Sequence, residues 1–236
     1  MDTIGTHAMV LAAGLGTRMR PLTDTRPKPL IEVAGKSLLD YGFDRLREAH
    51  VQTAVINAHY LAEQIFAWAK RQTSPHIILS DERGELLDTG GGIAKALPLL
   101  GSAPFFVLNS DSFWIDGRIP AFTRLRAAWN DVTMDCLLLL CPQSQTIGYD
   151  GQGDFEMQND GRIIRKSGGS SLAYIGCYLV HPRLFRDAPQ GKFSMNALWD
   201  KAISNGRLQA VSHDGKWLHV GTPEAIALAE ACLAKT

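Results

Sequence analysis

Short apolar runs alternate with amphipathic segments through the first half of the chain. The apolar runs are rich in Val, Ile, Leu and Phe, as strands of a sheet covered on both faces are. They lie at Ala8–Ala13, Thr53–Asn57, His76–Ser80, Pro104–Asn109 and Thr133–Leu140. Between them, Ser37–His50 and Leu61–Arg71 carry apolar residues at helical spacing, and Ser37 is a candidate N-cap. This alternation predicts an α/β fold, with helices on both faces of a mixed, mainly parallel sheet.

The pattern changes in the second half of the chain. Asp154–Gln158 and Arg162–Lys166 flank Asn159-Asp160-Gly161, whose Asp-Gly pair is a strong signal for a β-hairpin. Further strands are predicted at Ser171–Val180, Leu208–Ser212 and Trp217–Val220, and helices at Asn196–Ser204 and Pro223–Ala234. No repeat, low-complexity tract or long linker interrupts the chain. We therefore expect one domain over residues 1–236, in which residues 146–215 form a substrate-facing lobe.

The overall composition is that of an ordinary globular protein, with 45% hydrophobic and 20% charged residues. Lys and Arg together number 24, as do Asp and Glu, so the formal net charge is zero. Such a chain lacks the long-range field that favours nucleic acid or an anionic membrane. No apolar run approaches the roughly 18 residues of a membrane span, and Met1–His7 does not resemble a signal peptide. We therefore expect neither nucleic acid nor a membrane as a partner.

The cysteines indicate a reducing environment. The four residues are scattered along the sequence, at Cys136, Cys141, Cys177 and Cys232. They form no C-x-x-C pair and mostly lie in apolar runs, so buried free thiols are expected rather than disulfides or a zinc site. A cytoplasmic location fits this pattern best.

The first predicted strand leads directly into a glycine-rich segment, Ala12–Thr23. A glycine-rich turn after a strand lets backbone N–H groups close around a phosphate. The dinucleotide-binding fingerprint does not fit, because Met19 stands where its last Gly or Ala belongs. The phosphate loop of NTPases does not fit Ala34–Ser37 either, because Leu30 replaces its first Gly.

Cations and prolines crowd into the residues that follow these glycines. Arg18, Arg20 and Lys28 lie within one stretch of eleven residues, and three prolines in or next to it prevent a long regular helix. A stiff loop that places cations beside exposed N–H groups suits a triphosphate. Solvated surface charge is the alternative for such side chains.

Longer motifs indicate a family resemblance. Leu11–Thr23 and Pro27–Leu30 closely resemble the signature of the sugar-1-phosphate nucleotidyltransferases. The similarity continues through Asp88–Gly92, Asn109–Asp111 and Trp217–Pro223, and so covers nearly the whole chain. The resemblance implies a single-domain Rossmann-like (GT-A-like) fold, with a nucleotide-binding half over about residues 1–145 and the sugar-facing lobe over about 146–215. It also implies one in-line displacement, in which a sugar 1-phosphate attacks a nucleoside triphosphate and pyrophosphate leaves.

Within that family, the short length and Thr89–Gly92 are most similar to members that join UTP to N-acetylmuramate 1-phosphate in peptidoglycan recycling. This similarity implies a member without the C-terminal β-helix of bifunctional relatives. Two alternatives stay open: guanylyl transfer to mannose or heptose 1-phosphate, and a catalytically silent sensor of nucleotide sugars. Arg18 and Lys28 favour an active enzyme, which we expect to be a monomer or a weak homodimer.

The matched positions imply roles in nucleotide binding. Arg18 matches an arginine that grips the leaving phosphates, and Lys28 matches a lysine that contacts the α-phosphate and the sugar phosphate, so both are expected to be catalytic. The resemblance implies further nucleotide contacts from the backbone of Gly14, Gly16 and Thr17 and from a frame around the base formed by Leu11, Ala13, Thr89 and Gly91. For the three glycines at 90–92, base recognition and a tight entry to a following helix are both open.

Polar residues that follow predicted strands supply the candidate metal ligands. The carboxylate of Asp111 is expected at the carboxyl end of a strand, where ligands bind in open α/β sheets. The resemblance implies that Asp111 is catalytic and binds Mg²⁺, which prefers oxygen ligands. His219 stands where many relatives have a second carboxylate ligand, so it either binds the metal or donates a hydrogen bond to phosphate. Asn57 and His59, after another strand, are candidates for the pocket rim or the core.

The remaining matched residues concern the sugar. Asn109, Asp154 and Gly176 fall where relatives contact the hexose: Asp154 can accept hydrogen bonds from hydroxyl groups, and Gly176 leaves room for the ring. Some relatives have Glu-Lys-Pro where this chain has Arg165-Lys166-Ser167. Because the match is poor, Lys166 is expected to be a solvated hairpin residue.

Overall fold

The structure of the protein, a computed structural model, describes residues 4–235. Residues 1–3 of the polar N-terminal segment, and residue 236, lie outside the described residues. In chain order the strands are β1 (His7–Leu11), β2 (Glu32–Val33), β3 (Lys36–Ser37), β4 (Thr53–Ala58), β5 (His76–Asp81), β6 (Phe105–Asn109), β7 (Ser112–Ile115), β8 (Cys136–Pro142), β9 (Thr146–Ile147), β10 (Phe155–Met157), β11 (Ile163–Arg165), β12 (Leu172–Val180), β13 (Leu208–Ser212) and β14 (Lys216–His219). The α-helices are α1 (Leu38–Glu48), α2 (Ala62–Ala69), α3 (Asp88–Ala96), α4 (Ala121–Ala128), α5 (Met195–Ser204) and α6 (Pro223–Leu233).

The central sheet of the described chain has nine strands. Strand β1 lies between its parallel neighbours β4 and β6, and β5 pairs in parallel with β4. Strand β12 runs antiparallel to both β6 and β8, and β13 pairs in parallel with β8. The hairpin β10–β11 joins this sheet through β12. The sheet is therefore mixed and mainly parallel, as the alternation of strands and helices predicts.

Alternate residues of each strand face two separate hydrophobic layers, because successive side chains of a strand point to opposite faces. In β1, Ala8 and Val10 pack in one layer and Met9 in the other. Helices α1, α2 and α4 cover the first layer, to which Phe43 contributes, and α3 and α5 cover the second, to which Trp199 contributes. Helices thus lie on both faces, and the core continues through the whole sheet.

A smaller sheet lies beside the carboxyl ends of the central strands. It has the order β7–β14–β9, and its first strand begins directly after the loop that follows β6. Helix α6 packs on this sheet around Leu218, Val220 and Ala229. The carboxyl ends of β1 and β6 therefore open toward a second structural layer, which is the edge where open α/β sheets bind ligands.

Most predicted elements are present, with ends displaced by a few residues. Ser37 caps α1 as predicted, and its hydroxyl accepts the Asp40 N–H at 3.1 Å. Several elements were not predicted: the strand β7, the helix α4 and the two-residue strands β2, β3 and β9. Helix α4 has eight residues, and Phe122 and Leu125 alone give too few apolar positions for a helical period to be visible. The glycines 90–92 lie inside α3 rather than before it.

Other expectations concern the whole chain. The four cysteines are buried thiols outside any disulfide, as predicted. Among residues 4–235, no helix is long and apolar enough to cross a membrane. Strands β12 and β13 of the predicted lobe belong to the central sheet. The two predicted parts therefore share one core, and their functional division at residue 145 stays a prediction.

Candidate active site

The loop after β1 leaves backbone donors unpaired. Gly16 has a φ of 64°, a left-handed conformation that glycine adopts without strain, and it turns the chain into the 3₁₀ turn Thr17–Met19. The N–H groups of Gly14, Gly16 and Thr17 donate to no acceptor within the described residues, and the side chain of Arg18 is exposed beside them. Exposed N–H groups next to a guanidinium form a site for an anion.

Gly16 also brings this loop close to Lys28. A Cβ at position 16 would lie 3.0 Å from Lys28 Cβ and 3.0 Å from Thr23 Cγ2. The hydroxyl of Thr23 donates to the Gly16 carbonyl at 2.8 Å, which holds the loop in place. Lys28 begins a 3₁₀ turn after Pro27 and is only 9% exposed. A larger residue at position 16 would separate the loop from this buried cation.

Lys28 is paired with Asp111, which follows the carboxyl end of β6. Lys28 Nζ lies 3.1 Å from Asp111 Oδ2. Burial raises the pKa of Asp111, but Lys28, His219 and Arg18 together outweigh it and hold the pKa below its ordinary value. The carboxylate is therefore ionised at neutral pH, and it lies among the cations that the sequence analysis selected.

His219 lies close to Asp111 because β14 pairs with β7. In this register His219 is opposite Ser112, and the Val220 N–H donates to the Asp111 carbonyl at 3.2 Å. The imidazole stacks on Trp217, with ring centroids 5.2 Å apart and an interplanar angle of 8°. Burial lowers the pKa of His219, which favours the neutral ring, and its buried Nδ1 has no hydrogen-bond partner in the described chain.

Two adjoining cavities open at this edge of the sheet. The first has a volume of about 420 Å³ and is lined by the glycine loop, Lys28 and Asp111. The second, of about 240 Å³, lies beside β10, β11 and the start of α5. Four residues line both cavities: Leu11, Asp88, Thr89 and Asn109. A ligand with two parts can therefore occupy the cavities together.

The glycines of α3 pack too closely for any side chain. A Cβ at Gly90 would collide with the Phe193 ring, one at Gly91 with the carbonyl oxygen of Gly191, and one at Gly92 would lie 2.7 Å from Asn57 Nδ2. The N–H groups of the first two glycines both donate to the Phe193 carbonyl, at 2.9 and 3.1 Å. Tight packing therefore accounts for all three glycines, whereas their contact with a base stays a prediction.

The profile of the nucleotidyl transferase family matches residues 7–236. The chain belongs to this family. The match covers both cavities and the whole central sheet, so the loop, the Lys28–Asp111 pair and the neighbouring cavity are parts of one nucleotidyltransferase domain.

Relatives within the family are similar over nearly their full length. An N-acetylmuramate α-1-phosphate uridylyltransferase of Caulobacter vibrioides is 45% identical over 234 residues, 97% of each chain. A protein of the same description from Neisseria meningitidis serogroup B is 36% identical over 232 residues, 95% of this chain and 98% of the relative. The solved structure of UDP-glucose pyrophosphorylase complexed with UDP-glucose has a TM-score of 0.79 at 19% identity and 99% coverage of both chains, a likeness of fold. The predicted family and fold are confirmed.

The predicted site residues fall into three groups in this nucleotidyltransferase. The first cavity is lined by Leu11, Ala13, Gly14, Gly16, Thr17, Arg18, Lys28, Thr89, Asn109 and Asp111. The second cavity is lined by Asp154 as well as by the shared Asn109. Three predicted residues line neither cavity: Gly91, Gly176 and His219. Gly176 instead supports the wall, because a Cβ there would lie 2.9 Å from Asn109 Cβ.

Sequence reasoning missed Lys192, a cation that lines the first cavity. It also missed Glu82, which is 1% exposed and lies behind the glycine loop. Glu82 Oε1 accepts from Asn57 Nδ2 at 2.9 Å, and Asn57 Oδ1 accepts the Ala12 N–H at 2.8 Å. This chain of hydrogen bonds connects the start of the loop to the residue that follows β5. No local pattern marks Glu82, since its role depends on neighbouring strands that are distant in sequence.

The carboxyl group of Glu82 is expected to make stability depend on pH. Burial raises its pKa above the ordinary value of 4.5, although the hydrogen bond from Asn57 opposes the shift. The folded state therefore holds this proton more tightly than the unfolded state, and its stabilising effect is lost as the pH rises through the folded pKa. Glu82→Gln keeps an acceptor for Asn57 without the ionisation. Its free energy of unfolding in urea should therefore rise relative to that of the wild type as the pH increases from 4.5 through the folded pKa of Glu82.

Glu85→Gln is the matched control, because Glu85 is exposed in the same loop. If Glu85→Gln and Glu82→Gln changed the pH dependence of the unfolding free energy equally, the effect would come from charge in this loop and not from the burial of Glu82. If Glu82→Gln runs parallel to the wild type, Glu82 does not titrate with a raised pKa.

Proposed function

We propose that this nucleotidyltransferase joins UTP to N-acetylmuramate 1-phosphate and releases pyrophosphate. The observation that carries this proposal is the 45% identity to an N-acetylmuramate α-1-phosphate uridylyltransferase over 97% of both chains. The two adjoining cavities support it, because a nucleotide and a sugar phosphate have to meet end to end.

The proposed reaction is one in-line displacement at the α-phosphorus. A phosphate oxygen of the sugar 1-phosphate forms a bond to that phosphorus, and the bond from the α-phosphorus to the oxygen bridging to the β-phosphate breaks. The attacking oxygen is already anionic at neutral pH, so no protein nucleophile is needed. Catalysis then consists of bringing two polyanions together and stabilising the charge of the transition state.

Arg18 and Lys28 of the first cavity are proposed to bind different phosphate groups. Arg18, beside the unpaired loop N–H groups, would hold the leaving β- and γ-phosphates, for which its fork of donors is suited. Lys28 would contact the α-phosphate and the incoming sugar phosphate. Its burial against Asp111 supports this role, since the ion pair fixes the ammonium group before substrate arrives.

The base of the nucleotide and the ring of the sugar phosphate are proposed to lie in different cavities. The base would be framed by Leu11, Ala13 and Thr89, which line the first cavity. Gly91 would contribute indirectly, because its lack of a side chain lets α3 pack closely against Gly191. The sugar would contact Asn109 and Asp154, with Gly176 behind Asn109. Asp154 Oδ2 accepts from the Tyr174 N–H at 2.9 Å, which leaves its other carboxylate oxygen for a sugar hydroxyl.

A divalent metal ion, Mg²⁺, is proposed to bind through Asp111, with His219 as the second candidate ligand. Within residues 4–235, Lys28 contacts Oδ2 of Asp111 and no group donates to the other oxygen, and the buried Nδ1 of His219 has no hydrogen-bond partner. No cluster of three or more His, Cys, Asp or Glu residues in the described chain could hold a metal ion. These residues fit an ion that takes its other ligands from phosphate oxygens and water. Bound there, Mg²⁺ would neutralise part of the phosphate charge.

The cellular setting and the assembly state remain proposals. Four buried cysteines that form no disulfide support a cytoplasmic location. A monomer or a weak homodimer stays a prediction, as does the absence of nucleic acid and membrane partners.

The substrate pair is tested by measuring pyrophosphate release with several nucleotides and sugar phosphates. UTP with N-acetylmuramate 1-phosphate should give the highest kcat/KM. Turnover at least tenfold faster with GTP and mannose 1-phosphate, about 1.4 kcal/mol of transition-state preference, would contradict the proposal. Absence of turnover with every pair, together with measurable nucleotide binding, would instead indicate a silent sensor.

A further inference from the structure

The second cavity contains a single positively charged side chain. Among its lining residues only Arg165 is a lysine, arginine or histidine. The carboxylates of Asp88 and Asp154 also line it, and both already accept hydrogen bonds from backbone N–H groups. A neutral sugar needs no guanidinium for recognition, because carboxylates and amides bind hydroxyl groups well. The arginine therefore requires a separate explanation.

Arg165 is held in a fixed orientation. Its Nε donates to Asp200 Oδ1 at 2.8 Å and its Nη2 donates to Asn196 Oδ1 at 2.9 Å. The guanidinium also lies over the Phe155 ring, 4.8 Å from its centroid. Two partners and an aromatic face restrict the long side chain, so little conformational entropy is left to lose when a ligand binds.

Part of the guanidinium remains available for a ligand. Nη1 has no hydrogen-bond partner within residues 4–235, and Nη2 donates only to Asn196. One N–H from each of these nitrogens forms the end-on pair of donors that matches a carboxylate. The side chain of Arg165 is 40% exposed, and that of its partner Asp200 is 60% exposed. An exposed ion pair contributes little energy, so Asp200 competes only weakly with a ligand for the guanidinium.

Two further features favour an anion at this position. Helix α5 has ten residues and begins beside the cavity, with Ser194, Met195 and Asn196 among the lining residues. The amino end of a helix carries a partial positive charge. In addition, the hydroxyl of Tyr178, which lines the cavity and is 1% exposed, has no hydrogen-bond partner in the described chain. The cavity thus combines one fixed cation with an unsatisfied polar group.

We propose that the second cavity binds a sugar with an acidic substituent, and that Arg165 determines this specificity by pairing with the substituent's carboxylate. This inference rests on the proposed function. N-acetylmuramate differs from N-acetylglucosamine by a lactyl ether, which adds one carboxylate to the ring. With the sugar phosphate near Lys28 and Asp111, the far side of the hexose lies beyond Asn109, in the cavity that Arg165 lines.

The experiment compares N-acetylmuramate 1-phosphate with N-acetylglucosamine 1-phosphate, using UTP, in the wild type and in Arg165→Gln. Glutamine keeps a polar side chain but removes the charge. KM for N-acetylmuramate 1-phosphate should rise about 10- to 100-fold, as expected for the loss of a charge-assisted hydrogen-bond pair, and kcat/KM for the other sugar should change by less than about twofold. The methyl ester of the lactyl group should lower wild-type kcat/KM toward the value of Arg165→Gln and should affect the variant little.

Arg162→Gln is the matched control, because Arg162 belongs to the same hairpin region, pairs with Asp160 and does not line the cavity. It should keep the wild-type preference between the two sugars, and the thermal unfolding of both variants should match that of the wild type. Equal losses with both sugars in Arg165→Gln, or an unchanged preference, would overturn the role of Arg165. If the wild type turns over neither N-acetylmuramate 1-phosphate nor its ester, the proposed function itself fails.

Discussion

Asp111→Asn is expected to lower kcat by about 10³-fold while the protein stays folded. The substitution keeps the shape of the side chain but removes the anionic charge, which is proposed to bind Mg²⁺ and which pairs with Lys28 at 3.1 Å. A metal ion at developing charge contributes several kcal/mol to a transition state, and about 4 kcal/mol corresponds to this loss. The measurement is the rate of pyrophosphate release as a function of Mg²⁺ concentration.

Two further variants distinguish the loss of metal binding in Asp111→Asn from a general effect of removing negative charge near His219. Asp150→Asn is the control, because Asp150 is an exposed carboxylate whose charge also reaches His219. It should leave the Mg²⁺ requirement unchanged. His219→Asp should lower the Mg²⁺ concentration needed for half-maximal rate, because an oxygen ligand replaces imidazole. If His219→Asp needed the same Mg²⁺ concentration as the wild type, His219 would not be a metal ligand. If Asp111→Asn kept a near-normal kcat, Asp111 would not be catalytic.

Arg18→Ala is expected to lower kcat by about 10²- to 10³-fold with little effect on KM for the sugar phosphate. The guanidinium lies in the first cavity beside unpaired loop N–H groups, where the charge of the leaving pyrophosphate would grow in the transition state. The loss of one preorganised donor at developing charge has effects of this size. Steady-state kinetics with both substrates varied gives kcat and each KM.

The matched variant for this experiment is Arg20→Ala. Arg20 lies two residues further along the same loop, pairs with Asp24 at 3.3 Å and does not line the cavity. The rate of this variant should stay within about twofold of the wild type, since an exposed ion pair contributes little. If Arg18→Ala and Arg20→Ala behaved alike, the loop would need positive charge in general and not a guanidinium at position 18.

The parts of the site that are close in sequence could be predicted, and the parts assembled by the sheet could not. The glycine loop, Arg18 and Lys28 lie within one short segment, so their association is visible as a motif. Asp111 could also be predicted, because it follows an apolar run that reads as a strand. Ligands bind at the carboxyl ends of strands in open α/β sheets. Glu82 and Arg165 lie in segments without such a signal. Their surroundings, Asn57 for one and Asn196 for the other, come from strands and helices distant in sequence.

In the fold as well, the elements with local sequence signals could be predicted, and those determined by packing between distant segments could not. Ser37 at the start of α1 and the Asp-Gly turn between β10 and β11 are local signals, and both elements form where they indicate. The three glycines of α3 gave an ambiguous signal, because glycine disfavours helix and suits a turn. Their place inside the helix depends on Phe193 and the carbonyl of Gly191, which leave no space for a side chain. Packing against a distant segment therefore overrides the local preference.

The common wall of the two cavities has a thermodynamic consequence. Leu11, Asp88, Thr89 and Asn109 belong to both, so a ligand in either cavity contacts side chains that the other ligand also needs. If the first ligand orders or shifts that wall, it changes the affinity for the second by some factor. The second ligand then changes the affinity for the first by the same factor, because the total binding free energy does not depend on the path. Titrating either substrate in the absence and in the presence of the other should therefore give the same coupling factor.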